Sequence, residues 1–167
     1  MLGAAAYLMW GLFPLYWPLL KPLGSLEILS HRVVWSLAVV FGLLVWLRKL
    51  GWFLTVPRVK LAWLTLASAL IAFNWLLYIW AVNSGHVVET SLGYFINPLV
   101  SVLLGVLVLG ERLRPQQWAA LGVALVGVLV LAVDAGRPPY IALGLAPSFG
   151  LYGLVKKRTA VGAVESL

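Results

Sequence analysis

The sequence contains no cysteine and few charged residues. Of its 167 residues, 10% are Asp, Glu, Lys or Arg, and 63% are apolar. The absence of cysteine excludes disulfide bonds, thiolate chemistry and cysteine-ligated metal sites. A soluble domain has about 25% charged and roughly 45–50% apolar residues, and a chain this short could not bury the apolar excess in one core. The composition therefore predicts an integral membrane protein surrounded by the lipid bilayer.

The sequence also lacks the motifs of common enzymes. It has no G-x-S-x-G nucleophile elbow, no Walker loop and no H-E-x-x-H zinc motif. The two histidines, His31 and His86, both fall toward the predicted outer side, which argues against a mid-membrane haem. We therefore expect no enzymatic activity, metal or cofactor. The net charge of +7 does not indicate nucleic-acid binding, because the basic residues form short clusters between apolar runs.

Six apolar stretches are long enough, or nearly so, to cross a membrane as helices. A helix needs about 20 apolar residues to span the hydrocarbon core. Segments with Gly, Pro or charged residues separate the stretches, as expected for loops. The sequence therefore predicts an all-α, multi-span helical bundle, with helices at residues 2–20, 26–47, 61–82, 90–109, 118–133 and 140–155.

The distribution of basic residues predicts the orientation of these helices. If the amino terminus is cytoplasmic, nine basic residues fall on the inside and only Lys21, Arg32 and Arg137 fall on the outside. Cytoplasmic loops of membrane proteins carry an excess of Lys and Arg. We therefore expect both termini to be cytoplasmic and the chain to be a multi-pass protein of the cell (plasma or inner) membrane. The nine inside residues are Arg48, Lys49, Arg58, Lys60, Arg112, Arg114, Lys156, Lys157 and Arg158.

A short internal repeat predicts the domain organisation. Residues 23–27 (LGSLE) resemble residues 161–165 (VGAVE), and five predicted helices separate the two copies. An odd number of spans inverts the second unit relative to the first, as in many alternating-access transporters. We interpret residues 1–134 as one complete five-helix repeat. Residues 140–167 then form the start of an inverted second repeat, truncated after its first helix.

Charged residues at the start of the second predicted helix form the first candidate site. Glu27 and His31 are one turn apart on one helix face, and Arg32 lies about 7–8 Å further along the helix axis than Glu27. One interpretation is a cluster at the outer mouth of a cavity that holds a proton or an anionic group. The alternative is structural: Glu27 interacts with the helix dipole, and the Arg32 side chain extends outward to the membrane surface.

The third predicted helix contributes a second group of candidates. Asn74 lies near its middle, Trp75 follows, and Tyr78 comes one turn later on the face of Asn74. These side chains could line a substrate path, with Trp75 as an aromatic wall. The alternative is that Asn74 forms an interhelical hydrogen bond, which stabilises membrane helix packing.

The fourth predicted helix contains a proline near its middle. Pro98 cannot donate a hydrogen bond to the carbonyl of Tyr94 and displaces it, and a free carbonyl at membrane depth must find a partner or line a wet cavity. We therefore predict a helix break at Pro98, with Tyr94 and Asn97 beside a solute. The alternative is a kinked helix that Asn97 pins to a neighbour. Pro14 predicts a similar break in the first helix, as a gate or a simple bend.

Several segments resemble one known family of membrane proteins. The segment that ends the fourth helix and begins the fifth resembles the end of a five-helix EamA unit of the drug/metabolite transporter superfamily. Other segments are similar to the RarD-type branch of that family, which is named for chloramphenicol sensitivity. The segments are residues 109–118 (LGERLRPQQW), and then 10–16 (WGLFPLY), 27–36 (EILSHRVVWS), 74–78 (NWLLY), 91–98 (SLGYFINP) and 148–154 (SFGLYGL).

The resemblance implies two inverted five-helix units around a central cavity. The chain would carry one of them, so we expect its partner to be the missing second half of its own chain or a partner subunit. The leading hypothesis is a secondary transporter of a small organic metabolite or drug-like solute, with proton coupling left open. The alternative is a non-transporting half-module or membrane scaffold that acts only with a partner.

Overall fold

The computed structural model describes residues 2–20, 22–134, 136 and 138–159, and these residues are helical apart from short connections. A 3-10 helix, Trp17–Leu20, follows the first α-helix. The second copy of the predicted repeat, residues 161–165, lies outside the described residues, as do Lys21 and Arg137. The α-helices are α1 (Leu2–Tyr16), α2 (Ser25–Trp46), α3 (Trp52–Thr55), α4 (Arg58–Asn83), α5 (Val87–Leu109), α6 (Pro115–Asp134) and α7 (Tyr140–Thr159).

Four of the described helices, α2, α4, α5 and α6, are long and apolar enough to cross a membrane. Together with the absence of strands in the described ranges, they confirm the prediction of an all-α, multi-span membrane protein. The first predicted span is divided, because α1 has 15 residues and ends at Tyr16. The cause lies in Trp17 and Pro18, since a proline disfavours α-helical geometry in the residue before it.

The helix ends extend beyond the apolar stretches by up to about one turn. Helix α4 begins at Arg58, directly after Pro57, and α6 begins at Pro115. Proline suits the first helical position because the amide hydrogen that it lacks would have no partner there. Gly110 ends α5 in the left-handed conformation, with φ of 69°, which glycine adopts without steric cost. Hydropathy indicates which part of a helix is embedded in the membrane. Proline at the first position and glycine after the last indicate where the helix begins and ends.

The structure corrects the predicted helix break at Pro98. Pro98 lies inside α5, which continues to Leu109, whereas Pro14 lies in the last turn of α1, which ends at Tyr16. A proline removes one hydrogen bond from a helix, and in a long helix the turns on either side preserve the helical path. The segment around Asn97 is therefore continuous helix in this structure.

Helix α7 is the most enclosed of the helices, and it packs against both α4 and α5. Glycines make the close approach possible, because a side chain at Gly93 would meet Leu145 and Ala142 within 3.2 Å. Gly150 lies similarly close to Val100. Small residues at such contacts let helix backbones approach, which is the main source of packing energy between membrane helices.

These contacts also define the two ends of the bundle. Gly93 near Leu145 and Gly150 near Val100 show that α5 and α7 run in the same direction. Leu77 of α4 lies against Gly144 and Trp63 lies against Arg158, which shows that α4 runs opposite to α7. The start of α4 and the ends of α5 and α7 therefore lie together. We call this the basic end, because it collects Arg58, Lys60, Arg112, Arg114, Lys156, Lys157 and Arg158.

Candidate functional site

The guanidinium group of Arg32 is surrounded by aromatic rings. Its central carbon lies 3.6 Å from the ring centroid of Trp75, 5.2 Å from that of Trp17 and 6.0 Å from that of Phe13. A cation within about 6 Å of an aromatic face is attracted by the electrons of the ring. Three separate elements, α2, α4 and the segment joining α1 to its 3-10 helix, thus meet at one charged side chain.

Further rings extend this group toward α5. The ring centroids of Trp75 and Tyr78 are 5.7 Å apart, and those of Tyr78 and Tyr94 are 5.6 Å apart. Both pairs are edge-to-face, the arrangement that aromatic electrostatics favour. We call the whole group the arginine–aromatic cluster, which consists of Phe13, Trp17, Arg32, Trp75, Tyr78 and Tyr94. It lies in the half of the bundle away from the basic end.

Polar atoms within the cluster lack partners. Among the described residues, neither Nη1 of Arg32 nor Nε1 of Trp17 has a hydrogen-bond acceptor, although both atoms are buried. The Tyr78 side chain lies beside the Trp17 indole. In the part of the chain that the structure describes, the ionisable groups close to Arg32 are Tyr94, Tyr16 and Tyr78, with no carboxylate among them. Among the described residues, the Arg32 cation is therefore surrounded by aromatic rings and not by carboxylates.

The structure separates the three candidates of α2. Arg32 is partly buried in the cluster, whereas Glu27 and His31 are exposed. No hydrogen bond or ion pair joins any two of these side chains within the described ranges. The separation follows from helix geometry, because a step of five residues turns Arg32 well away from the face that Glu27 and His31 share. The cluster thus unites Arg32 with Trp75, Tyr78 and Tyr94 and excludes the other two.

Asn74 joins α4 to α7. It is 1% exposed, and its amide nitrogen donates hydrogen bonds to the carbonyl of Leu145 and to Oγ of Ser148, both at 2.9 Å. This is the interhelical contact that one of the two interpretations of Asn74 describes. The amide oxygen is buried without a donor among the described residues. A role of Asn74 in lining a path remains a prediction.

Asn97 lies apart from the cluster, one turn beyond Tyr94. It is partly buried, and its nearest described polar contact is Oγ of Ser101, 3.5 Å from its Oδ1. That distance is the upper limit for a hydrogen bond, so the pair contributes little. Tyr94 itself is 40% exposed. Asn97 stays a predicted site residue on a continuous helix.

Several residues form contacts in the structure that were not predicted from the sequence. Phe13 and Trp17 complete the cluster, and their dense aromatic run was the available signal. Glu89 accepts a hydrogen bond from the backbone nitrogen of Ile141 at 2.9 Å, which supports the first turn of α7. At the basic end, Lys157 forms an ion pair with Glu111 at 2.9 Å, and both side chains are more than half exposed. The contacts of Glu89 and Glu111 with α7 could not be predicted from the sequence, because they depend on which helices pack together.

A separate cavity of about 670 Å³ lies between α5, α6 and the start of α7. Its lining is mostly apolar but includes His86, Glu89 and Asp134. Within the described residues, no group of three or more His, Cys, Asp or Glu side chains could hold a metal ion. This cavity shares none of its lining residues with the arginine–aromatic cluster.

The helices and the cluster that they enclose define a multi-pass α-helical membrane protein. Comparison with known families gives a narrower assignment. The chain belongs to the EamA-like transporter family, whose profile matches residues 1–133. The resemblance noted in the sequence is thereby confirmed.

Three curated relatives illustrate the similarity. "Protein RarD" of Streptomyces exfoliatus is 61% identical over 168 residues, covering 99% of this chain and 53% of that protein. "Uncharacterized transporter YojE" of Bacillus subtilis is 52% identical, covering 98% and 57%. "Chloramphenicol-sensitive protein RarD" of Pseudomonas aeruginosa is 35% identical, covering 99% and 57%. The chain spans about half the length of the curated relatives it matches. No solved structure matches it.

Proposed function

We propose that the complete protein is a secondary transporter that moves a small organic solute across the cell membrane. Membership of the EamA-like transporter family supports transport, and the arginine–aromatic cluster supports an organic solute. Ionisable groups in membrane-spanning helices are costly and generally mark a solute or ion pathway. The partly buried Arg32, with its unpaired Nη1, is the observation that carries the proposal.

The proposed mechanism is alternating access between two inverted repeats. The chain supplies one five-helix unit and α7, and the described contacts of α7 with α4 and α5 provide the kind of interface that two repeats would share. In such transporters the solute site lies near the repeat interface. We further propose that both termini are cytoplasmic, because the basic end carries most of the described Lys and Arg residues.

We further propose that Glu27 and His31 couple solute movement to protons. Glu27 and His31 are exposed near the first turn of α2, away from the basic end. Imidazole and carboxylate side chains can each carry a proton. A proton bound there could accompany the solute or be exchanged for it.

Solute flux in proteoliposomes tests the proposal. The protein encoded by the complete reading frame is reconstituted, and uptake of radiolabelled organic solutes is measured with and without a proton gradient. We expect saturable uptake that Trp75→Ala reduces about tenfold, since the ring packs directly on Arg32. Glu27→Gln should abolish the gradient dependence while leaving solute exchange intact. Glu111→Gln, which removes a carboxylate at the basic end, is the matched control and should keep the gradient dependence.

Two outcomes would count against parts of this proposal. Normal gradient dependence in Glu27→Gln would remove that residue from coupling. If the complete protein moves no solute but restores flux to a co-expressed membrane partner, the half-module hypothesis replaces the transporter hypothesis.

A further inference from the structure

We infer that the arginine–aromatic cluster binds an organic anion, a carboxylate attached to a flat apolar body. This inference rests on the proposed function, because it names the class of solute that the same site would take. The charge of Arg32 is the first observation behind it. A guanidinium group stays protonated in proteins, so the positive charge at this position cannot be removed by losing a proton.

The contacts of Arg32 leave its charge incompletely compensated. Rings of Phe13, Trp17 and Trp75 surround the cation, and rings attract a cation without accepting the hydrogen bonds that lie in the guanidinium plane. Nη1 is buried, and none of the described residues provides it with an acceptor. A buried donor without an acceptor is costly, more so when it is charged. A bound carboxylate would supply both the acceptor and the missing negative charge.

The geometry favours a carboxylate approaching at the edge of the guanidinium group. At 3.6 Å from the guanidinium carbon, the Trp75 ring covers one side of the plane. Nη1 has no acceptor among the described residues, and N–H groups in the guanidinium plane are the ones that form the two parallel bonds of an arginine–carboxylate pair. Phosphate can form similar bonds, but it carries no apolar surface to match the surrounding rings.

A second unpaired donor lies within reach of the same ligand. The Trp17 ring centroid is 5.2 Å from the Arg32 guanidinium carbon, and its buried Nε1 also lacks an acceptor in the described part of the chain. Two donors on neighbouring side chains suit the two oxygens of one carboxylate. The indole Nε1 can only donate, so the pair selects for acceptors. A cationic solute would meet the charge of Arg32 and be repelled.

The rest of the cluster suits a flat apolar body. Trp75, Tyr78 and Tyr94 continue from Arg32 as a series of edge-to-face rings. Aromatic walls with few polar groups are typical of sites for small organic ligands. The polar end of the solute would lie on Arg32 and Trp17, and its apolar part would lie along Tyr78 and Tyr94.

Matched acids and amides test the charge preference. Benzoate, phenylacetate and indole-3-acetate are compared with benzamide, phenylacetamide and indole-3-acetamide. Binding to the purified protein, encoded by the complete reading frame and held in detergent, is measured by calorimetry. Each amide keeps the shape of its acid but lacks the negative charge. We expect at least one acid to bind about tenfold more tightly than its amide, the scale expected of a charge-assisted hydrogen bond.

Three variants locate the binding. Arg32→Gln should remove the preference for the acid. Arg32→Lys keeps the charge without the planar fork and should retain a preference with acid binding weakened several-fold. Trp17→Phe keeps the ring and removes only the Nε1 donor, so it should weaken the acid and leave the amide unchanged. Arg58→Gln, an exposed arginine at the start of α4, is the matched control and should bind as the parent protein does. Size-exclusion profiles exclude variants that do not fold.

The outcomes separate this inference from the transport proposal. Equal binding of acid and amide, no binding of either, or an acid preference that survives Arg32→Gln would overturn the anion site. The first two results would also follow if a carboxylate elsewhere in the complete protein already neutralised Arg32. Arg32-dependent binding of an acid, without any flux in proteoliposomes, would instead overturn transport and leave the anion site in place. Flux of solutes in proteoliposomes, without tighter binding of the acids than of the amides, would overturn the anion site and leave transport in place.

Discussion

The α4–α7 interface and the arginine–aromatic cluster both place polar side chains inside membrane-spanning helices, but they treat them differently. At the interface, the Asn74 amide nitrogen has two acceptors on α7, at 2.9 Å each. In the cluster, Arg32 and Trp17 each keep a buried donor that the described residues leave without an acceptor. The two regions are close in sequence, since Asn74 and Trp75 are adjacent on α4.

The difference shows that adjacent residues of one helix have different surroundings. Successive residues on a helix point about 100° apart, so Asn74 faces α7 while Trp75 faces α2. The first side chain completes a contact within the chain, and the second leaves a charged neighbour available to a ligand. Hydrogen bonds between polar side chains and neighbouring helices hold membrane helices together, and the Asn74 amide nitrogen forms two of them although its oxygen has no donor among the described residues. Three substitutions test this contrast by their effects on stability.

Gly93→Leu should have the largest effect, at the α5–α7 contact. A side chain at this position would lie 3.1 Å from the Leu145 side chain and 3.2 Å from the Ala142 backbone, so α7 must move away. We expect a loss of about 2 kcal/mol or more in the free energy of unfolding, as for overpacked cores. The measurement is denaturation in mixed detergent micelles followed by circular dichroism.

Gly122→Leu on α6 is the control for that experiment. The position has nothing within 4 Å of an added side chain among the described residues, so stability should change little. Equal losses in both variants would mean that α7 does not pack on α5 as described.

Asn74→Ala should have an intermediate effect. Removing both hydrogen bonds to α7 should cost about 1 kcal/mol, the usual range for polar contacts between membrane helices. Ser148→Ala removes one of the two acceptors and should cost less. The double variant should lose less than the sum of the single losses, because the two residues share a hydrogen bond. Strict additivity would show that the Asn74–Ser148 contact does not contribute.

Arg32→Gln should have the smallest effect on stability, near zero within about 0.5 kcal/mol. The substitution loses cation–ring attraction and removes the cost of holding an unpaired charge in the membrane. The same micelle denaturation measures it. A loss as large as that of Asn74→Ala would mean that Arg32 is structural, and the contrast between the two regions would disappear.

Much of the fold could be predicted from the sequence. The apolar stretches located the four helices that are long enough to span the membrane, because hydropathy and backbone hydrogen bonding act within a single segment. The break predicted at Pro98 was wrong, since Pro98 lies inside the continuous helix α5. Loss of one hydrogen bond is a local signal, but whether a helix stops depends on the turns around it.

The candidate site was predicted only in part. Arg32, Trp75, Tyr78 and Tyr94 were named from the sequence, and the structure brings them together with Phe13 and Trp17. Glu27 and His31 were grouped with Arg32 because they are close in sequence, but the turn of α2 separates their faces. Contact between side chains of different helices depends on how those helices rotate and pack, which periodicity on one helix does not specify.

The sequence by itself determined the class of this protein. Its apolar excess, low charge and clustered basic residues require a lipid environment, since these properties depend on composition and on order along single segments. Only the tertiary structure decided what the polar residues do. It gave Asn74 two acceptors on α7 and left Arg32 surrounded by rings, because hydrogen-bond partners on other helices are set by packing between distant segments.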